Sequence, residues 1–160
     1  MRIKVGFGYD VHQLKAGRPC RLGGVDMESE LGPDGHSDAD VVLHAICDAI
    51  LGAAGLRDIG YHFPNTSVDF KDADSRNLLS EVVKLAHAKG YTVGNIDATL
   101  VSEVPKIAPY IGEMQLTIAG LCNIQTDDVG VKATTSEKLG FVGSKQGIEA
   151  YAVVLLEKEA

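Results

Sequence analysis

Asp10-Val11-His12 sets a carboxylate and an imidazole at i and i+2, on one side of the chain if the backbone there is extended. His44 falls in a helical run, with Asp40 and Asp48 one turn to either side. One Asp and two His give zinc three ligands and leave a fourth position for water or substrate, the arrangement of a catalytic rather than a structural site. The same residues are equally consistent with a loop His12 bonded to backbone and with Asp40 or Ser37 capping a helix. Gly35-His36-Ser37-Asp38-Ala39-Asp40 leads into that helix with backbone N–H groups and small donors suited to an anion, or forms a solvated loop. Lys132-Ala133-Thr134-Thr135-Ser136-Glu137-Lys138 carries three hydroxyls, a carboxylate and two cations at a strand end. Phosphate oxygens and a hard cation such as magnesium could use them. Taken alone, a Thr-rich strand end capping the next turn explains the same text.

Hydrophobic periodicity and turn residues supply the elements that must hold these groups. Ile3–Gly8 and Arg21–Met27 read as short strands paired in a hairpin, with Gly23-Gly24 marking a bulge or tight bend. Residues 31–40 read as a polar loop, followed by a helix from Asp40 or Val41 to about Ala54 that Gly55 stops. Residues 56–75 look irregular and polar, a length at which loops are usually functional. Asp74 or Ser75 then caps a helix over 76–89, closed by Gly90. Residues 91–102 alternate as a strand, a helix runs from Ile107 or Pro109 to Leu121, and 129–135 and 148–157 are strands. The order β-β-α-α-β-α-β-β predicts an α+β fold with helices on one face of a mixed sheet. The run Val153-Val154-Leu155-Leu156 suits a strand buried on both faces, so a second subunit is expected to cover the open face.

The chain has 160 residues, 45% hydrophobic and 23% charged, the profile of one globular domain spanning 1–160. A core of that size needs no metal staple, so a metal here is expected to be functional. Against 15 basic residues stand 22 acidic ones, with no basic cluster to follow a phosphate backbone, which argues against nucleic acid. Cys20, Cys47 and Cys122 are odd in number, far apart and without a C-x-x-C pair, which excludes a disulfide framework and fits a reduced cytoplasmic compartment. No apolar run is long enough to span a bilayer and Met1-Arg2-Ile3-Lys4 enters a strand directly, so neither membrane insertion nor secretion is expected.

Taken in order, several blocks closely resemble the 2-C-methyl-D-erythritol 2,4-cyclodiphosphate synthase family. They are Gly8-Tyr9-Asp10-Val11-His12, then Gly35 to Asp40 with His44, then Asp58-Ile59-Gly60 with Phe63-Pro64. Ala73-Asp74-Ser75-Arg76, Pro105-Lys106 and the stretch Lys132 to Phe141 complete the series nearly end to end. The resemblance implies a homotrimer of α+β subunits in a ferredoxin-like arrangement, with active sites between neighbours. It implies conversion of 4-diphosphocytidyl-2-C-methyl-D-erythritol 2-phosphate to the cyclic diphosphate with release of CMP, in the methylerythritol phosphate route to isoprenoid precursors. By position, Asp10, His12 and His44 resemble the zinc ligands and Glu137 the magnesium or manganese ligand, while His36 and Thr135 resemble the catalytic groups steadying the transferring phosphoryl. Ser37, Asp58, Ile59 and Gly60, with Phe63, Pro64, Asn65, Thr66 and Ser67, are implied to hold the methylerythritol phosphate. Ser102, Glu103, Val104, Pro105, Lys106, Ile107, Ala108 and Thr134 are implied to hold the cytidine diphosphate part. Ser136, Phe141 and Ser144 are implied substrate contacts.

Two departures from the family pattern stand out. Phe63-Pro64 is followed by Asn65-Thr66-Ser67 where acidic residues are frequent, and Ser144-Lys145 stands where many members carry Arg, whose bidentate grip Lys cannot reproduce. Two rival functions use the same residues. A zinc phosphoester hydrolase would need a water-activating base, for which Asp40 or Asp48 are the nominees, and a non-catalytic metabolite-binding protein would not need an intact metal trio.

Overall fold

The computed structural model describes residues 1–158. Strand β1 (Arg2–Ala16) is followed by β2 (Cys20–Leu22), β3 (Val25–Met27) and β4 (Leu31–Asp34). Helices α1 (Val41–Ala54), α2 (Ile59–His62) and α3 (Ser75–Ala88) come next, with a 3-10 turn at Val68–Phe70. Strand β5 (Thr92–Val101), helix α4 (Ile111–Cys122), strand β6 (Val129–Thr134), helix α5 (Gly140–Gly143) and strand β7 (Gly147–Lys158) complete the order. Five strands form a mixed sheet in the order β4-β1-β7-β5-β6, in which only β5 and β6 run parallel. The expected mixed sheet with helices is present.

The hairpin expected between residues 3–8 and 21–27 does not form. Strand β1 pairs antiparallel with β7 from Arg2↔Lys158 to Gln13↔Gly147, and with β4 at its far end. Residues 21–27 instead fold on themselves, β2 against β3. Gly23 and Gly24, both at positive φ, make the turn. The expected loop at 31–40 begins as β4, whose Pro33 is tolerated because this is the sheet edge.

One feature of β1 fixes how the site is built. Residues 6, 8, 10, 12 and 14 share the face toward α1, whereas Val5, Phe7, Tyr9 and Val11 point away and are exposed. Gly6 and Gly8 let α1 lie directly on the strand, since a Cβ at Gly8 would stand 1.8 Å from the Ala45 carbonyl oxygen and one at Gly6 1.8 Å from that of Ala49. Helix α1 is buried nearly all round, capped by Asp40 and closed by Gly55 in the left-handed region. Its Ile46, Ile50 and Leu51 join Leu100, Ile148 and Val154 of the sheet in one core. Strand β7 is buried on that side only: Val154 and Leu156 are fully covered but Val153 is 44% exposed. The expectation of burial on both faces is therefore not met within the protomer, because nothing in one chain covers the β1–β7 face.

Candidate metal centre and adjoining cavities

Because α1 lies against the glycines of β1, His44 reaches the level of the next two residues on the same strand face. Asp10 Oδ2 stands 2.8 Å from His12 Nε2 and 3.0 Å from His44 Nδ1, and the two nitrogens are 3.4 Å apart. Tetrahedral zinc with bonds near 2.0 Å separates its ligand atoms by about 3.3 Å, so the trio is nearly preset for such an ion. His12 Nδ1 lies 3.0 Å from the Asp34 carbonyl oxygen, which only accepts, so this nitrogen carries the proton and Nε2 is left for a cation. Gly35 makes room for that ring, as a Cβ there would come within 2.9 Å of His12 Cε1.

Burial raises the Asp10 carboxyl, but hydrogen bonds and charge from His12 and His44 outweigh it and hold the group at about 2. For His12 burial favours the neutral ring, yet the Asp10 hydrogen bond and charge win and push its pKa up. This is the electrostatic signature of a cation site: one anion facing two imidazole nitrogens. Asp10, His12 and His44 form a group able to hold a metal ion.

The trio opens onto a cavity of about 420 Å³. Its walls include His36 and Ser37 from the loop before α1, Ile59 and Gly60 from α2, and Phe63 and Asn65 beyond it. Of the residues expected at this end, Asp58, Pro64, Thr66 and Ser67 do not line it; Asp58 caps no backbone N–H, and Ser67 Oγ accepts from Asp69 N. Ala39 adopts φ 58, and this left-handed residue turns the chain so that Asp40 enters the helix as its cap.

Asp40 and Asp48, the nominees for a water-activating base, have different fates. Asp40 is completely buried and accepts from Gly23 N, Gly24 N and Leu43 N, which removes it from the cavity. Asp48 lines the cavity, and its Oδ1 accepts from Ile59 N at 2.8 Å.

A second cavity of about 230 Å³ collects Ser102, Pro105, Lys106, Ile107, Ala108 and the Thr134-Thr135 strand end. Thr134 is paired with Val101 across β5–β6, its carbonyl accepts from Ser102 N at 3.0 Å, and Ser102 Oγ donates to the Val104 carbonyl. Glu103 Oε1 accepts from Lys138 N at 3.3 Å, tying the two segments together. Glu137 and Lys138 both adopt positive φ, a costly turn for residues with a Cβ, held by Thr135 Oγ1 accepting from Glu137 N and by Ser136 Oγ donating to the Leu139 carbonyl. Glu137 is exposed. No residue lines both this cavity and that of the metal trio. Phe141 lies in an open cleft with Val11, His12 and Lys145 that meets the metal cavity at His12, and the Ser144 hydroxyl donates to the Phe141 carbonyl.

The profile of the YgbB family matches residues 3–157. The chain belongs to the YgbB family. A Phocaeicola vulgatus protein named 2-C-methyl-D-erythritol 2,4-cyclodiphosphate synthase is 63% identical to it over 158 residues, 99% of each chain. A solved Plasmodium falciparum structure, titled an IspF–CDP complex, superposes with a TM-score of 0.87 at 35% identity, covering 99% of this chain and 97% of that one. The bifunctional IspDF of Campylobacter jejuni superposes with a TM-score of 0.95 at 40% identity, covering 99% of this chain and 43% of that longer chain.

In this YgbB-family chain, sequence reasoning gave no individual role at the metal site to four groups that the structure places there. Phe70 and Leu78 form apolar wall of the metal cavity, and Phe70 packs edge-on against Phe63. Ser75 and Asp38 sit behind His44. Both belonged to matched blocks, but a hydroxyl and a carboxylate behind a histidine have no spacing signature, because loop folding alone brings them there.

Proposed function

We propose that this chain is a 2-C-methyl-D-erythritol 2,4-cyclodiphosphate synthase. The observation that carries the reading is the preset Asp10/His12/His44 trio opening onto a cavity of mixed polar and apolar lining, in a chain alike over its whole length to a relative of that name. In the reaction an oxygen of the 2-phosphate bonds to the β-phosphorus, the bond from that phosphorus to the α–β bridging oxygen breaks, and CMP departs with the electron pair. No water is consumed. Zinc held by Asp10, His12 and His44, and magnesium or manganese held by Glu137 with substrate phosphates, would supply positive charge to neutralise the phosphates.

The chain's own residues orient and enclose. His36 and Thr135 would steady the oxygens of the transferring phosphoryl group. Ser37, Asp58, Ile59 and Gly60, with Phe63 to Ser67, would hold the methylerythritol phosphate. Ser102 to Ala108 and Thr134, with Lys106 exposed at the rim, would hold the cytidine diphosphate, and Ser136, Phe141 and Ser144 add contacts. Because nucleophile and electrophile belong to one molecule, orientation supplies much of the rate.

A homotrimer with sites between neighbours accounts for two features together. The β1–β7 face exposes Ile3, Val5, Phe7 and Val153, a contiguous apolar patch that calls for a partner. The metal and Lys106 cavities share no lining residue in one chain, while a diphosphate links the two halves of one substrate, so the halves of a working site would come from different subunits. The strand order, with the parallel β5–α4–β6 unit beside antiparallel β7 and β1, supports the ferredoxin-like reading of one catalytic domain. Three buried free cysteines suit a reducing cytoplasm, and among the described residues no helix is long and apolar enough to cross a membrane.

The test is incubation of purified protein with the candidate substrate and magnesium, followed by phosphorus NMR and mass spectrometry. Equal amounts of CMP and cyclic diphosphate are expected. An unchanged substrate, or CMP with an open-chain bisphosphate, would overturn the reading.

A further inference from the structure

His44 has to present Nδ1, not Nε2, toward Asp10 and His12, and the structure contains a device that enforces the choice. His44 Nε2 lies 2.8 Å from Ser75 Oγ, and Ser75 Oγ is in turn bonded to Asp38 Oδ1. The direction of this chain is determined at its far end. Asp38 Oδ1 also accepts from Asp40 N at 3.1 Å, and Asp38 Oδ2 accepts from Ser75 N at 2.9 Å, so the carboxylate acts only as acceptor. The Ser75 hydroxyl proton must therefore point at Asp38. Its lone pair is then turned to His44, which can bond it only by carrying a proton on Nε2. Nδ1 is then the nitrogen free to bind a cation, 3.0 Å from Asp10 Oδ2.

We propose that Asp38 and Ser75 are positioning residues that fix the tautomer and ring orientation of His44 for metal binding. The inference rests on Asp10, His12 and His44 being a metal site. Ser75 is fully buried and His44 nearly so, so water cannot substitute for the hydroxyl freely. Ser37 Oγ is a poorer alternative at 3.3 Å, and it already accepts from Ala39 N. The pair also has a structural consequence. Ser75 closes the 56–75 segment, which is pinned to the pre-helix loop by Asp72 N bonding the His36 carbonyl at 2.8 Å and by Asp38 N bonding the Ala73 carbonyl at 3.1 Å. The wall of the substrate cavity and the metal ligand thus share one anchor.

The test compares wild type with Ser75→Ala, Ser75→Thr and Asp38→Asn. Zinc affinity is measured by chelator competition, and the His44 tautomer of the metal-free proteins by long-range proton–nitrogen NMR at alkaline pH. Ser75→Ala should bind zinc about 10- to 100-fold more weakly, as for other partners lying behind a metal-ligating histidine. It should also shift His44 from the Nε2–H tautomer toward Nδ1–H bonded to Asp10, while Ser75→Thr, which keeps the hydroxyl, restores both. Asp38→Asn should behave like Ser75→Ala, because its amide cannot accept from both Ser75 donors. Wild-type affinity and tautomer in Ser75→Ala would overturn the proposal, as would a Ser75→Thr variant no better than Ser75→Ala. A wild-type protein that takes up no zinc would instead refute the metal site on which it depends.

Discussion

Gly8→Ala is expected to abolish the metal site without touching any of its ligands. The new Cβ would lie 1.8 Å from the Ala45 carbonyl oxygen and 2.8 Å from Ala49 N, both backbone atoms that cannot rotate aside. An ordinary carbon–oxygen contact is about 3.3 Å, so α1 must withdraw from β1 by about 1.5 Å. Metal–ligand distances tolerate about 0.2 Å, and His44 rides on the displaced helix one residue before Ala45, while Asp10 and His12 stay on the strand. Overpacking of this kind costs about 1–3 kcal/mol even where side chains give way, so a loss at the upper end is expected. The control is Gly52→Ala, on an exposed turn of α1 where an added Cβ meets nothing within 4 Å. That change should raise stability by about 0.5–1 kcal/mol through helix propensity and leave zinc binding intact. Urea unfolding of the metal-free proteins and zinc titration read both effects. A Gly8→Ala protein with wild-type zinc affinity would refute the claim that helix–strand contact sets the ligand geometry.

Other expectations follow from the same geometry. His12→Ala and His44→Ala should each lose bound zinc while retaining the fold of the metal-free protein, checked by elemental analysis beside circular dichroism; full occupancy in both would contradict the trio. Glu137→Gln should weaken the dependence of turnover on magnesium, and an unchanged metal titration would leave Glu137 as a surface turn residue. Phe7→Glu, on the exposed β1 face, should convert a trimer to monomers by light scattering, whereas a trimer that survives the charge would mean that this face is not the interface. The pH response has two limbs. Asp10, held at about 2 against an ordinary 3.8, contributes about 2 kcal/mol above 3.8 that is lost as pH falls through 2. His12, raised above 6.5, contributes most below 6.5 and less as pH rises through its shifted value. The metal-free protein should gain most from the pair between about pH 4 and 6.5, while zinc, which must displace the His12 proton, should bind more tightly as pH rises past that window. A zinc affinity flat from about pH 5.5 to 8 would contradict this.

The helices and the last strands were legible because their signals are local. Asp40 before an apolar run and Gly55 after it bound α1, and Asp74 caps α3 by accepting from Arg76 N. The full length of β1 was not, since Asp10 and His12 interrupt the apolar pattern where the strand turns a polar face to the cavity. Its partners were misread for a related reason. Nearness in sequence favoured a hairpin with residues 21–27, whereas the long register with β7 spans almost the whole chain, and no local pattern reports it. Edge strand β4 was hidden by Gly32 and Pro33, residues that mark loops elsewhere. The metal trio was visible as residue types, but its alternatives could be separated only by distance. His12 is bonded to backbone, as the modest reading has it, and that bond is also what leaves Nε2 for a metal.

The central claim is that the β-phosphate is attacked by the substrate's own 2-phosphate and not by water. Turnover in oxygen-18 water measures this directly, with both products analysed by mass spectrometry. Cyclisation leaves CMP and the cyclic diphosphate unlabelled, because every oxygen in them comes from the substrate. Label in the sugar phosphate would mean that water attacked the β-phosphorus, and label in CMP that it attacked the α-phosphorus. Either result would contradict the account and would point to Asp48, the carboxylate lining the metal cavity, as the water-activating base.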